Sequence, residues 1–431
     1  MKKRIFILTS IIPYPLIGGG IVSQYAFGDY LRYHYDLIYL FEIRSEKQKE
    51  AVKELQKKWP EVKIHTVNNI PVESIKKITT QKIKGFIIRL YNKISNVLGN
   101  RKKQFFYDVD VSNIDFTYAG LFARPINNRY ISASTKIIQE SRPDLIQVEH
   151  LAFMNLVLSF PNNIPSVYVH HELQFARLES SSAINDNLES NYIDYIIKLT
   201  KDIEGSFLKK YSAIIAFSEA DKKKIRNLLP DYTQVYSSPF PVLNEAFDTI
   251  DKESFKIEKL VFVGSDIHSP NIDAINWYVQ QDFGQKIFEK TGLKLNIIGE
   301  WSERNKQKFQ DRKFIKFTGF INDLKEFCRN SIMIVPIRIG SGIRTKILYA
   351  MAQGIPVIAS EIGCEGIEAT NNTDFIIAKN SEDFINSVNY LLSNLDTAFE
   401  IAQNGQKFIR SYYSQQVLGE RRKNILDSLI L

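Results

Sequence analysis

Residues Ile339 to Glu368 read IGSGIRTKILYAMAQGIPVIASEIGCEGIE, and this stretch decides the fold. A strand predicted over Ile332–Pro336 runs into Gly340-Ser341-Gly342, where glycine lets the backbone approach a ligand and take positive φ. Helical spacing follows from Ile343 to Gln353, with Ile347, Ala350 and Met351 on one inner face. Gly354 stops that helix, and Pro356 opens a strand predicted over Val357–Ala359. Strand, glycine turn, helix and strand make a unit of parallel sheet. The free N–H groups and the dipole at such a helix start favour an anion. Arg344 and Lys346 fall in the first turn, where cations oppose the dipole. They make sense in front of a ligand with two or more negative charges. A diphosphate fits, gripped by the planar fork of Arg344 and by the point charge of Lys346.

The same alternation extends outward in both directions. Leu260–Val263, Lys294–Ile298 and Ile315–Phe317 read as further strands of this half, with a helix start at Ser269-Pro270-Asn271 that carries Ala274, Trp277 and Tyr278 inward. Arg4–Thr9, Tyr35–Phe41, Leu145–Val148, Ser166–Val169 and Ala213–Phe217 form an earlier series of short apolar runs, as expected of parallel strands buried on both faces. SSPFP at Ser237–Pro241 separates the two series. A chain of 431 residues also exceeds what one hydrophobic core fills. The expected fold class is therefore α/β, with two Rossmann-like doubly wound domains facing across a cleft. Their expected extents are 1–243 and 244–406, with a C-terminal helix at about 407–431 packing back on the first. Ligands in such sheets sit beyond the carboxyl ends of the strands, which places the site in the cleft.

Composition narrows the function. Hydrophobic residues make up 44% and charged residues 24%, which excludes disordered and fibrous classes. Cys328 and Cys364 form no CxxC pair, so neither a disulfide framework nor a zinc ribbon is expected. The net charge of +8 suits an anionic substrate or membrane surface, and no finger or RNP motif argues for nucleic acid. The opening MKKRIFILTSIIPYPLIGGG mimics a signal peptide. Pro13, Pro15 and three glycines fit a buried strand and a glycine-rich loop better. No apolar run reaches the length of a membrane span, and the chain is expected to be cytoplasmic. Ile70–Tyr107 interleaves lysines and arginines with apolar residues. The two readings are a helix lying on an anionic membrane or lipid-linked acceptor, and a domain helix with a solvated basic face.

Other chemistry gathers after predicted strands of the first half. Glu149-His150 follows Leu145–Val148, and His170-His171-Glu172 follows Ser166–Val169, so both groups open toward the cleft. His171 is the first candidate to orient a sugar or an acceptor hydroxyl, and His170 the second. Asp108-Val109-Asp110 matches a metal-binding pattern but follows no strand, and no metal site is assigned to it. A P-loop and a dinucleotide fingerprint are both missing, which argues against ATPase and nicotinamide chemistry.

GSGIRTKILYAMAQGIPVIAS followed by IGCEGI resembles the signature of the retaining glycosyltransferases of the group 1 type, in a branch of bacterial polysaccharide and glycan biosynthesis. PYPLIGGG, VGSDIHSPNIDAINWY, IIGEW and FTGFINDLKEF resemble other pieces of that family, over nearly the whole chain. The resemblance implies a GT-B fold and transfer of a sugar from a nucleotide diphosphate donor to a glycan or lipid-linked acceptor. It also implies no cofactor and no essential metal. Arg344 and Lys346 then stabilise the leaving diphosphate, and Gly18, Gly19 and Gly20 face the phosphates and sugar. Gly264, Gly319, Phe320, Gly340, Ser341, Gly342, Tyr349 and Glu365 are the further donor-binding candidates. The family's paired glutamates are replaced by Ser341 and Tyr349, and Glu361 and Glu365 lie downstream as substitutes. That departure supports the competing reading of a catalytically silent, nucleotide-sugar-binding or partner subunit. A GT-B epimerase or phosphorylase is the third.

Overall fold

A computed structural model describes residues 2–16, 18–69, 124–182, 190–232, 234–280, 283–340 and 342–430. The basic segment, Asp108-Val109-Asp110 and Ser341 fall largely or wholly outside these residues.

The first sheet has the order β3-β2-β1-β4-β5-β6-β7, and every pairing is parallel. Its strands are β1 Arg4–Thr9, β2 Asp36–Ile43, β3 Lys63–Asn68, β4 Leu145–Glu149, β5 Ser166–His170, β6 Ala213–Ala216 and β7 Val235–Ser237. The second sheet has the order β10-β9-β8-β11-β12-β13, again parallel throughout. It comprises β8 Lys259–Val263, β9 Leu295–Ile298, β10 Ile315–Gly319, β11 Ser331–Val335, β12 Val357–Ala359 and β13 Ile376–Ile377.

The central strands are apolar on both faces because helices cover both. Ile5 and Ile7 pack toward one layer, Phe6 and Leu8 toward the other. Each such side chain contributes roughly 1.5–3 kcal/mol by leaving water. β3, KIHTVN, buries only Val67, so the sequence offers no apolar run there. β2 starts one residue later and ends two residues later than expected, at Ile43.

The chain crosses between the two sheets twice, and the crossings touch. Val242 N donates to Tyr413 O at 2.7 Å, and Gln415 N donates to Val242 O at 3.1 Å. The second crossing follows the helix Leu395–Tyr412 and delivers the helix Gln415–Leu429 to the first sheet's side, against the helix Gly19–Leu31. Tyr35 Oη donates to Asp427 at 2.6 Å, and Gln415 Nε2 donates to Ala26 O at 3.0 Å. Arg422 is fully buried there, 3.9 Å over the Phe27 ring, and its Nε donates to Ser238 Oγ at 3.0 Å. Burial pushes its pKa down to about 10, against the pull of the Glu149 charge.

Candidate active site

The helix Thr345–Ala352 follows β11 across a glycine turn, with Gly340 at φ 108° and Gly342 at φ 81°. Its inner face, Ile347, Ala350 and Met351, is buried in the core. Arg344 is the residue before the helix, and its guanidinium donates back to Gly342 O. Lys346 lies in the first turn; its ammonium donates to Asn271 Oδ1 at 2.9 Å and stands 4.1 Å over the Phe262 ring. Asn271 in turn stands where any side chain on Gly264 would be, since a Cβ there would meet its amide nitrogen at 2.6 Å.

Both residues are partly exposed, yet their charged heads point inward. Burial lowers the pKa of Arg344. Burial first, and then the neighbouring Arg344 charge, bring Lys346 down to about 7. Among the described residues no carboxylate forms a salt bridge with Lys346.

The opposite wall comes from the first sheet. Gly18, at φ 90°, precedes the helix Gly19–Leu31. A Cβ on Gly19 would meet Thr345 Oγ1, and would lie 2.7 Å from its Cγ2 and 2.8 Å from its Cβ. One on Gly342 would lie 3.4 Å from His171 O. The glycine loop, the His171 segment and the Thr345 helix therefore close on one another. Three polar contacts cross the same cleft. Gly340 N donates to Ser180 Oγ at 3.0 Å, Arg177 Nη2 to Ser269 Oγ at 3.4 Å, and Lys224 Nζ to Glu365 Oε1 at 2.8 Å. Arg177 also pairs with Glu172 at 3.3 Å. His268, just before the helix Ser269–Val279, has its pKa lowered by burial and by the nearby Arg177 and Lys346 charges.

The histidines separate by strand parity. His171 continues the face of β5 that carries Val169, toward the glycine loop, and its Nε2 lies 3.0 Å from Glu149 Oε2. His170 faces the opposite layer, where its Nε2 lies 2.9 Å from the buried Glu204. Glu204 also accepts from Gln174 N and Phe175 N. Glu204 of the helix Ser190–Leu208 thus holds both His170 and the start of the helix Gln174–Ser182, and the expectation that His170 serves the cleft is corrected.

Tyr349 also departs from expectation. It packs with Val22, Ala26 and Leu243 in a small apolar cluster, where burial raises its pKa. Glu365 is engaged by Lys224. Gly319, at φ 72°, and the exposed Phe320 end β10 beside Gly299, whose N donates to Gly319 O at 2.9 Å.

Glu149, His150 and His171 bring potential ligand atoms within 4.8 Å of one another. The Gln24 amide nitrogen stands among them, 2.6 Å from both Glu149 Oε2 and His150 Nε2. An NH2 group there donates to the atoms that a cation would need. Sequence reading singled out Glu149 and His150 only by position. Gln24 and Arg177 carried no motif, and Asn271 and Thr345 sat inside motifs without a role of their own, because their roles arise from contacts between distant segments.

Residues 257–394 match the family of group 1 glycosyl transferases. A curated relative, an uncharacterized 44.6 kDa protein in the cps region of Klebsiella pneumoniae, is 26% identical over 225 residues. That match takes in 50% of this chain and 55% of the relative, so the chain spans about half the length of the curated relative it matches. Solved structures align over the whole chain. Anabaena HepE, crystallised with UDP, aligns with TM-score 0.63 at 13% identity, covering 100% of both chains. S. aureus TarM, crystallised with UDP, fondaparinux and alpha-GlcNAc-glycerol, aligns at 0.64 and 15%, covering 98% of this chain and 99% of its own. Sucrose-phosphate synthase of Thermosynechococcus elongatus aligns at 0.67 and 11%, covering 99% of both. The fold is therefore GT-B.

Proposed function

We propose that this chain, whose residues 257–394 match the group 1 glycosyl transferases, is a retaining enzyme that moves a sugar from a nucleotide diphosphate donor to a glycan or lipid-linked acceptor. The observation that carries the reading is Lys346. An ammonium held inward without a salt-bridged carboxylate is costly, and an anionic ligand in front of it removes the cost. Arg344 beside it and the N-terminus of the Thr345 helix add a fork and a dipole aimed the same way.

In this reading the diphosphate lies between the helix start and the Gly18–Gly20 loop. Charge grows on it as the glycosidic bond breaks, and Arg344 and Lys346 stabilise that charge without a metal. His171 orients the sugar from the opposite wall, and Phe320 offers an exposed ring to the base. UDP, found with HepE and TarM, is the first nucleotide to test. The setting is the cytoplasmic side of an anionic membrane; among the described residues no helix is long and apolar enough to cross one.

The competing reading, a silent binding subunit, rests on Ser341 and Tyr349 in place of the family's glutamates. One assay separates the two. Purified protein with UDP-sugars and EDTA should slowly release UDP, and the product sugar should keep its anomeric configuration by NMR. Binding of UDP with no hydrolysis of any donor, with or without acceptor, supports the silent subunit instead.

A further inference from the structure

We propose that Glu149 is a positioning residue: it fixes the tautomer of His171, so that Nδ1 meets the cleft as a hydrogen-bond acceptor for a hydroxyl of the sugar. The sugar part rests on the proposed function, whereas the tautomer rests on geometry alone.

Parallel pairing sets Glu149 of β4 opposite Val169 of β5, so Glu149 and His171 share a sheet face. Glu149 is only 5% exposed, and donors surround it. Gln147 Nε2 donates to its Oε1 at 2.6 Å, Gln24 Nε2 donates to its Oε2 at 2.6 Å, and His171 Nε2 lies 3.0 Å from that Oε2. Burial alone would raise its pKa. The His171 hydrogen bond and the buried Arg422 guanidinium act against burial and keep the carboxylate ionised. An ionised carboxylate accepts and never donates. The hydrogen in the His171 contact therefore sits on Nε2, and in the neutral ring Nδ1 keeps its lone pair. Nδ1 lies 4.0 Å from where a Cβ on Gly20 would stand, at the glycine loop.

A second layer holds the ring. His150, in the left-handed region at φ 70°, stacks on His171 with centroids 3.9 Å apart and planes 26° apart. A non-glycine residue at positive φ persists only where its surroundings enforce it, and such residues gather at functional sites. Gln24 links the layers by bridging Glu149 Oε2 and His150 Nε2. The reverse orientation of this amide would set its oxygen against the carboxylate. Burial keeps His150 neutral, with its pKa well below the usual histidine range. The unit is thus one anion, two stacked rings and an amide clamp, with one bare nitrogen facing the cleft.

The test is 15N NMR of histidine-labelled full-length protein at pH 8, beside turnover. Wild type should show His171 as the Nε2–H form with Nδ1 unprotonated. Glu149→Gln, whose amide can donate to Nε2, should reverse the tautomer. Its kcat should fall about 10- to 100-fold, the range expected for losing one hydrogen bond to substrate. UDP affinity should stay unchanged, and Glu149→Asp, which keeps the charge, should keep the tautomer. An Nδ1–H tautomer in wild type overturns the proposal even if no variant folds. So does a Glu149→Gln protein with wild-type tautomer and kcat. Should wild type turn over no donor at all, the glycosyltransferase reading falls, and the wild-type spectrum still decides whether Glu149 sets the tautomer.

Discussion

Replacing Gly19 by alanine puts a methyl group where the two halves of the molecule meet. The added Cβ would stand 2.8 Å from Thr345 Cβ and 2.7 Å from Cγ2, and closer still to Oγ1. Thr345 opens the helix Thr345–Ala352, and its Cβ moves only if that helix moves. Overpacking of this kind costs roughly 1–3 kcal/mol. The cost falls on the closed form alone, because the contact spans the cleft. The closed-to-open ratio should therefore drop about 5- to 150-fold, taking tenfold per 1.4 kcal/mol. Alanine at the first position of the helix Gly19–Leu31 improves helix propensity by roughly 0.5–1 kcal/mol. That gain is common to open and closed forms and leaves the ratio between them untouched. Turnover should fall by the closure factor, while UDP affinity, held mainly by the second sheet's side, falls less. Small-angle scattering with saturating UDP should show a larger radius for Gly19→Ala than for wild type. Adding Thr345→Gly should restore closure. Thr345→Ala should restore it only in part, since the 2.8 Å contact to Cβ remains. Wild-type turnover and wild-type compaction in Gly19→Ala would refute the reasoning.

Further expectations follow from the cations and the exposed ring. Arg344→Ala and Lys346→Ala should each weaken UDP binding about 10- to 100-fold by calorimetry, with Arg344→Lys only partly restoring it. Because Lys346 titrates near 7 in the folded chain and near 10.5 when unfolded, the unfolded chain holds the extra proton between those values. Wild type should therefore gain stability relative to Lys346→Met as pH rises from 7 toward 10.5, and the gap should be flat below pH 6, read by urea melts. UDP binding near pH 8 should take up a proton at Lys346, seen as buffer-dependent binding enthalpy that vanishes in Lys346→Met. Phe320→Ala should weaken nucleotide binding by roughly 1–3 kcal/mol if the ring stacks on the base, with little effect on inorganic diphosphate.

The fold was largely legible because β1, β5, β8 and β11 are mainly apolar runs, as strands covered on both faces must be. β3, β7 and β13 escaped because the first is an edge strand with a single buried side chain and the other two have only three and two residues. In the site, the glycine turn and its cations were readable, since turn, helix start and charge are local. His170 and His171 were not separable by composition; strand parity alone sends one to Glu204 and the other to Glu149. The surroundings of Tyr349 were hidden for a similar reason. Its neighbours Val22 and Leu243 lie far away in sequence, and only the folded chain brings them to it.

The returning helix Gln415–Leu429 has a consequence for the order of assembly. Tyr35, Phe27 and Ser238 take their partners from Asp427 and Arg422, so the layer over the first sheet is finished by residues made after the whole second sheet. On the ribosome the first half emerges early and must wait, its Gly19–Leu31 helix bare on the side that Gly419 will later press against the Tyr30 ring. Two halves expressed as separate pieces cut near residue 240 would thus divide one hydrophobic layer between them. The early piece should bind hydrophobic dyes and chaperones until the late one is supplied.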